Sequence, residues 1–158
     1  SESDYKNAFN LLFQNTVNTS MAAIKGMKKN NWGRIINMAS VSVKEPLSYL
    51  ALSNTIRSAV TSWGKTLSIE SGKHNVTVNN ILTGFFNTER LKQLNSEKAK
   101  KFNVNTDEVF DKMSKMVPLK RIGEPEEFGY LVAFLSSDFA DYINGANIPI
   151  DGGLLKSM

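Results

Sequence analysis

Residues 33–70 read GRIINMASVSVKEPLSYLALSNTIRSAVTSWGKTLSIE, and the fold turns on how this stretch divides. Arg34-Ile35-Ile36-Asn37-Met38-Ala39 is a short, largely apolar run that predicts a strand. It delivers Ser40 to the strand's carboxyl end, the edge of an open α/β sheet where ligands collect. After a loop through Pro46, apolar Leu52, Ile56, Ala59, Val60, Trp63 and Leu67 recur at helical spacing and predict a helix over 48–71. Gly72 is expected to end that helix in the left-handed conformation that other residues avoid. His74-Asn75 then turn the chain into a second strand over 76–82. Strand, helix, strand in this order makes the two strands parallel, joined by a right-handed crossover.

Working outward, Tyr5, Ala8, Phe9, Leu12, Phe13, Val17, Met21, Ile24 and Met27 are spaced as one long amphipathic helix over 4–29. Ser3 or Asp4 can cap its start, and Lys28 and Lys29 suit the negative end of its dipole. An α/β domain normally begins with a strand and a phosphate-binding turn, so this opening suggests a piece of a longer polypeptide. On the other side, 83–88 leaves the second strand at the same edge as Ser40. The Lys-rich segment 89–117, with short helices expected over 88–94 and 106–116, is either a lid beside that edge or a solvated excursion. Glu124-Pro125-Glu126-Glu127 fits a first helical turn, with Phe128, Leu131, Val132 and Leu135 as its apolar stripe. Asn144-Gly145 leads into a last strand over 146–150. The reading is one α/β domain over 1–158, with three parallel strands and long helices.

Composition narrows the function classes. A length of 158 residues supports one real core, with about two-thirds of the unfolded surface buried. The net charge of +4 is spread along the chain among carboxylates, without a basic patch interleaved with aromatics, so a nucleic-acid partner is not expected. No apolar run approaches the roughly 20 residues that span a bilayer, so no membrane role is expected. The chain has no Cys, which excludes disulfides and thiolate catalysis, and its single His74 has no companion ligands for a metal. The acidic, polar first turn does not look like a signal peptide, which places the chain in the cytoplasm by default.

Six blocks, taken in order, carry a resemblance. They are Trp32-Gly33-Arg34-Ile35-Ile36-Asn37-Met38-Ala39-Ser40, Lys65-Thr66-Leu67-Ser68-Ile69-Glu70, Val76-Thr77-Val78-Asn79, Gly84-Phe85-Phe86-Asn87-Thr88, Gly123-Glu124-Pro125-Glu126-Glu127 and Asp151-Gly152-Gly153. Together they resemble the carboxyl-terminal half of a short-chain dehydrogenase/reductase, closest to the branch that includes 3-oxoacyl-carrier-protein reductases of fatty acid metabolism. The resemblance implies a Rossmann-like doubly wound parallel sheet, an NAD or NADP cofactor, and hydride transfer to or from a carbonyl or 3-oxoacyl substrate. It also implies homo-oligomers built through the helices 4–29 and 48–71, with the missing amino-terminal half or an active relative as further partners. The glycine-rich turn that holds the cofactor pyrophosphate in this family is not in these 158 residues.

Registered on the family, Ser40 falls at the catalytic Ser. Ser53 stands at the position of the usual proton-donor Tyr and Arg57 at that of the Lys, while Leu12 falls at the position of an Asn. A Ser hydroxyl is far too weak an acid to replace a Tyr whose pKa neighbouring cations lower. Arg57 stays charged and can hold a ribose hydroxyl or a phosphate with a different geometry from Lys, or serve as a surface or interface residue. Tyr49 is a candidate relocated acid, against simple packing at the helix entrance. Ser40 either polarises a carbonyl oxygen or merely caps a strand end. Gly84, Phe86 and Thr88 are the candidate cofactor-binding residues, with Thr83 where the family usually has Pro. The resemblance thus leaves two functions open: a reductase with altered chemistry, or a non-catalytic oligomerisation or binding subunit.

Overall fold

The computed structural model describes residues 1–157. The chain opens with α1 (Glu2–Ala8), capped by Ser1 rather than by Ser3 or Asp4. The Ser1 hydroxyl accepts from the Asp4 amide at 3.3 Å, while the Asp4 carboxylate takes the terminal ammonium at 2.9 Å. The helix then widens through a π-helical turn (Phe9–Gln14) before α2 (Asn15–Lys29), so the predicted helix is one rod with its register shifted midway. Only Ser20 and Ile24 of α2 are buried, whereas Tyr5, Leu11 and Met21 are exposed. Much of the apolar stripe is therefore uncovered within this chain.

The central unit follows as read from the sequence: β1 (Gly33–Met38), α3 (Ala51–Ser71) and β2 (Val76–Thr83). Two local expectations are corrected. First, α3 begins at Ala51, not at 48, and Tyr49 lies outside it at φ 65° with its ring fully exposed. Second, Gly72 is right-handed at φ −56°, and the left-handed turn is made three residues later by Asn75 at φ 54°. Gly72 is small for packing: a Cβ there would come 3.2 Å from the Asn144 amide nitrogen.

The strands β1, β2 and β3 (Asn147–Ile150) lie side by side in that order, all parallel, so β2 is central and buried along nearly its whole length. Alternation of side chains then gives the sheet two faces. On one, Ile35, Val76 and Val78 pack against Ile24 of α2 and Leu67 of α3. On the other, Ile36, Ile81, Ile148 and Ile150 pack against Leu135 of α6 (Pro125–Leu135), whose stripe is as the sequence predicts. Helices on both faces make the sheet Rossmann-like.

The first face also carries a feature that periodicity does not reveal. Asn37, Asn80 and Asn147 stand at one register across the three strands. The Asn37 Nδ2 donates to Asn80 Oδ1 at 3.0 Å, and Asn80 Nδ2 donates to Asn147 Oδ1 at 2.8 Å. Above them α3 places Gly64, where a Cβ would fall 2.9 Å from both the Asn37 and Asn80 amides. This glycine lets the helix rest directly on the asparagine row.

The segment 89–117 holds α4 (Glu89–Phe102) and α5 (Thr106–Met116), which pack on each other. The first runs eight residues beyond the expected end at 94, to Phe102, and Asn103 at φ 51° stops it. The last residues fold back over the strand ends, where Leu154 and Leu155 pack on Ala39, Val41 and Leu82.

Candidate functional site

The site forms where the carboxyl ends of β1 and β2 meet α3. Arg57 organises it. Its Nε donates to Ser53 Oγ at 3.2 Å, one turn back on the same helix, and its Nη1 reaches the Met38 and Ala39 carbonyls at 3.4 Å. The guanidinium thus ties α3 to the end of β1, immediately before Ser40. Burial pulls its pKa below the usual arginine value. It remains cationic at neutral pH all the same.

From Arg57 a cleft of about 360 Å³ opens past Thr83, Gly84, Phe86 and Thr88 toward Arg90 and Leu94 of α4. Its walls are held by ordinary structural contacts. Thr83 Oγ1 donates to the Ala39 carbonyl at 3.0 Å, joining the two strand ends. The Phe86 ring stands edge-on to Phe128 with centroids 6.3 Å apart, and Phe86 pairs with Gly123 as an isolated parallel bridge. Thr88 caps α4, its Oγ1 accepting from the Leu91 amide at 3.3 Å.

The structure therefore brings Ser53, Arg57, Gly84, Phe86 and Thr88 to one place. Ser40 follows the anchored carbonyls directly, but its Oγ accepts from the Ser42 amide at 3.2 Å and caps the short turn Val41–Val43. That hydroxyl keeps its proton free to donate. One reading changes, and two gain detail. Tyr49 neither packs at the helix entrance nor shares a helical face with Ser53 and Arg57, since it precedes α3 and is fully exposed. Gly84 permits a close approach of the chain's own backbone: a Cβ would lie 2.8 Å from Asp151 Cα. Leu12 sits in the π-helical turn, its carbonyl accepting from the Thr16 hydroxyl at 2.7 Å.

Arg90 is the cleft residue that sequence reasoning missed. It lies in a segment crowded with Lys, and only the placement of the first turn of α4 brings it to the cleft. Among the described residues no group of three or more His, Asp or Glu is placed to hold a metal, and no helix is long and apolar enough to cross a membrane.

An open parallel sheet covered on both faces, with a cleft at its carboxyl edge, defines a Rossmann-type α/β protein. Residues 1–155 match the family described as Enoyl-(Acyl carrier protein) reductase, and the chain belongs to the short-chain dehydrogenase/reductase family. It is 36% identical over 132 residues to the NADPH-dependent reductase BacG of Bacillus subtilis, covering 84% of this chain and 51% of that protein. It is 31% identical to the 3-oxoacyl-[acyl-carrier-protein] reductase FabG of Chlamydia trachomatis, over 98% of this chain and 58% of the relative. Among solved structures, YwfH, an NADPH-dependent reductase involved in bacilysin biosynthesis, matches with a TM-score of 0.94 and 32% identity. That match covers 100% of this chain and 61% of YwfH. The chain thus spans about half the length of the curated relatives it matches.

Proposed function

We propose that this chain is the substrate-side half of an NAD(P)-dependent carbonyl reductase, with NADPH the preferred cofactor and a 3-oxoacyl chain a substrate of the implied type. The observation that carries the reading is the anchored guanidinium of Arg57 opening into the same cleft as Gly84, Phe86 and Thr88. The donor set fits one end of a nicotinamide cofactor. Thr88 offers a hydroxyl and Arg57 an uncompensated cation, suited to the carboxamide and ribose. The fit does not extend to the pyrophosphate: Gly84 faces Asp151, so it opens no cradle, and the glycine-rich turn lies outside these residues.

Bound there, the cofactor supplies a hydride to the carbonyl carbon. The chain's own residues serve the oxygen. Ser40 donates its free hydroxyl proton in a hydrogen bond, and Arg57, held by Ser53, stabilises the negative charge that develops. Neither group is acidic enough to surrender a proton, so water protonates the alkoxide. Segment 89–117 covers the substrate, and the setting is the cytoplasm.

The test is NADPH oxidation by the full natural polypeptide with a 3-oxoacyl thioester. Ser40→Ala and Arg57→Gln should each lower kcat by about 10²-fold, the loss typical of one oxyanion donor. An unchanged rate in both variants would remove these residues from the reaction. A second reading, a non-catalytic oligomerisation subunit, is favoured by the uncovered Tyr5, Leu11 and Met21 on α1, the π-helical turn and α2. In that case these side chains pack against a second copy or an active relative, with α3 beside them. Failure of the full polypeptide to bind NADPH at millimolar concentration would select it.

A further inference from the structure

A second cavity, of about 360 Å³, shares Phe85 with the Arg57 cleft as a common wall. Its other apolar liners are Val41, Leu47, Met116, Leu154 and Leu155. Val41 directly follows Ser40, so the cavity begins one residue past the hydroxyl that serves the carbonyl oxygen. We infer that this cavity holds the hydrocarbon chain of the acyl substrate, and that Glu45, by tying down the carboxyl-terminal tail that forms one of its walls, is a positioning residue for chain length. The word substrate rests on the reductase reading, whereas the cavity and its wall do not. With the cofactor in the Arg57 cleft, a carbonyl held by Ser40 has its hydrocarbon part free to enter the cavity across Phe85.

Two of the liners leave apolar surface to water: Met116 is 62% exposed and Leu47 37%. A hydrocarbon chain that covers them is drawn in by burial of that surface, and the unbranched Met116 can adapt to its shape. The cavity also lies within the size range of small-molecule sites. The tail wall is built rather than loose, because carboxylates fasten it at both ends. Asp151 Oδ1 accepts from the Gly153 amide at 2.9 Å, and its Oδ2 accepts from the Leu155 amide at 2.8 Å. At the far end Glu45 Oε1 accepts from the Lys156 amide at 2.8 Å and the Ser157 amide at 2.6 Å. The Ser157 and Lys156 amides hold the Glu45 carboxyl below the usual carboxylate range, so it stays ionised at neutral pH. Between these anchors Leu154 and Leu155 pack on Ala39, Val41 and Leu82. Glu45 thus fastens the tail to the same loop that carries Leu47, and it sets the spacing of two walls of the cavity.

The test is calorimetric titration of the full natural polypeptide with the N-acetylcysteamine thioesters of octanoate and butanoate, neither of which carries a reducible 3-oxo group. The octanoyl compound should bind at least about tenfold more tightly, a ratio that about two buried methylene groups supply. Met116→Trp, at an exposed position where the fold is kept, fills the cavity and should remove most of that preference. Glu45→Ala frees the Lys156 and Ser157 amides and should lower the preference at least about threefold, while Glu45→Gln keeps an acceptor oxygen and should restore most of it. Equal binding of the two thioesters overturns the proposal. An octanoyl preference that survives Met116→Trp also overturns it, by placing the chain elsewhere. A preference unchanged in Glu45→Ala removes the positioning role of Glu45. Chain-selective binding that follows these variants in a polypeptide that never oxidises NADPH supports the cavity and overturns only the reductase reading.

Discussion

Asn80 and Asn95 are both fully buried, yet they sit in opposite circumstances. In the sheet, Asn80 bonds Asn37 on one side and Asn147 on the other, with Gly64 giving the row its headroom. In the 89–117 segment, neither amide atom of Asn95 has a partner among the described residues. A satisfied buried amide helps to fix one arrangement, because any other register leaves it unpaired. An unsatisfied one costs stability wherever its element rests. The sheet under the cleft is therefore specified residue by residue, whereas the 89–117 segment beside it buries an amide that fixes no arrangement.

Substitutions at the two positions should separate these regimes. The largest effect is expected from Asn80→Ala, which strands the buried Asn37 amide and leaves a cavity under α3, costing about 3 kcal/mol in urea unfolding. A loss below about 1 kcal/mol would show that the row contributes little to the fold. A smaller effect of opposite sign is expected from Asn95→Leu, which removes two unsatisfied polar atoms at nearly constant volume. It should stabilise by about 1 kcal/mol and raise Tm. A destabilised Asn95→Leu protein would mean that this amide is bonded in the assembled protein.

The smallest effect belongs to the exposed Arg121–Glu127 pair. The Arg121 guanidinium, at 2.6 Å, and the Glu124 amide, at 2.8 Å, hold the Glu127 carboxyl at about 2, below its usual 4.5. A depressed carboxyl pKa contributes stability that is present above 4.5 and lost as pH falls toward 2. Glu127→Gln should therefore flatten the acid limb of the stability profile slightly. An acid limb identical to the parent's would show that solvent screening cancels the pair.

Much of this molecule is legible in the order of its residues. Ile35, Ile36 and the apolar stripe of α3 give strand and helix, Pro125 and its carboxylates give the start of α6, and the strand-helix-strand order gives parallel pairing. At the candidate site, the cleft gathers Arg57, Gly84, Phe86 and Thr88, with Ser53 bonded to Arg57 one turn back on α3. The local signals misled where packing overrode propensity. Gly72 reads as a helix terminator, but it stays right-handed with the Asn144 side chain packed close, and Asn75 makes the turn. Tyr49 reads as a helix position one turn before Ser53, but α3 starts two residues beyond it.

The sequence by itself determined the succession of elements and the family, because apolar periodicity, caps and short motifs act over a few residues. Tertiary structure alone decided that Asn37 meets Asn80 and that Asn80 meets Asn147, contacts that span 43 and 67 residues of chain. It likewise decided that Arg90 shares a cleft with Arg57, 33 residues before it. Strand register and the placement of one helix beside a sheet edge are collective results of packing, and no local pattern encodes them.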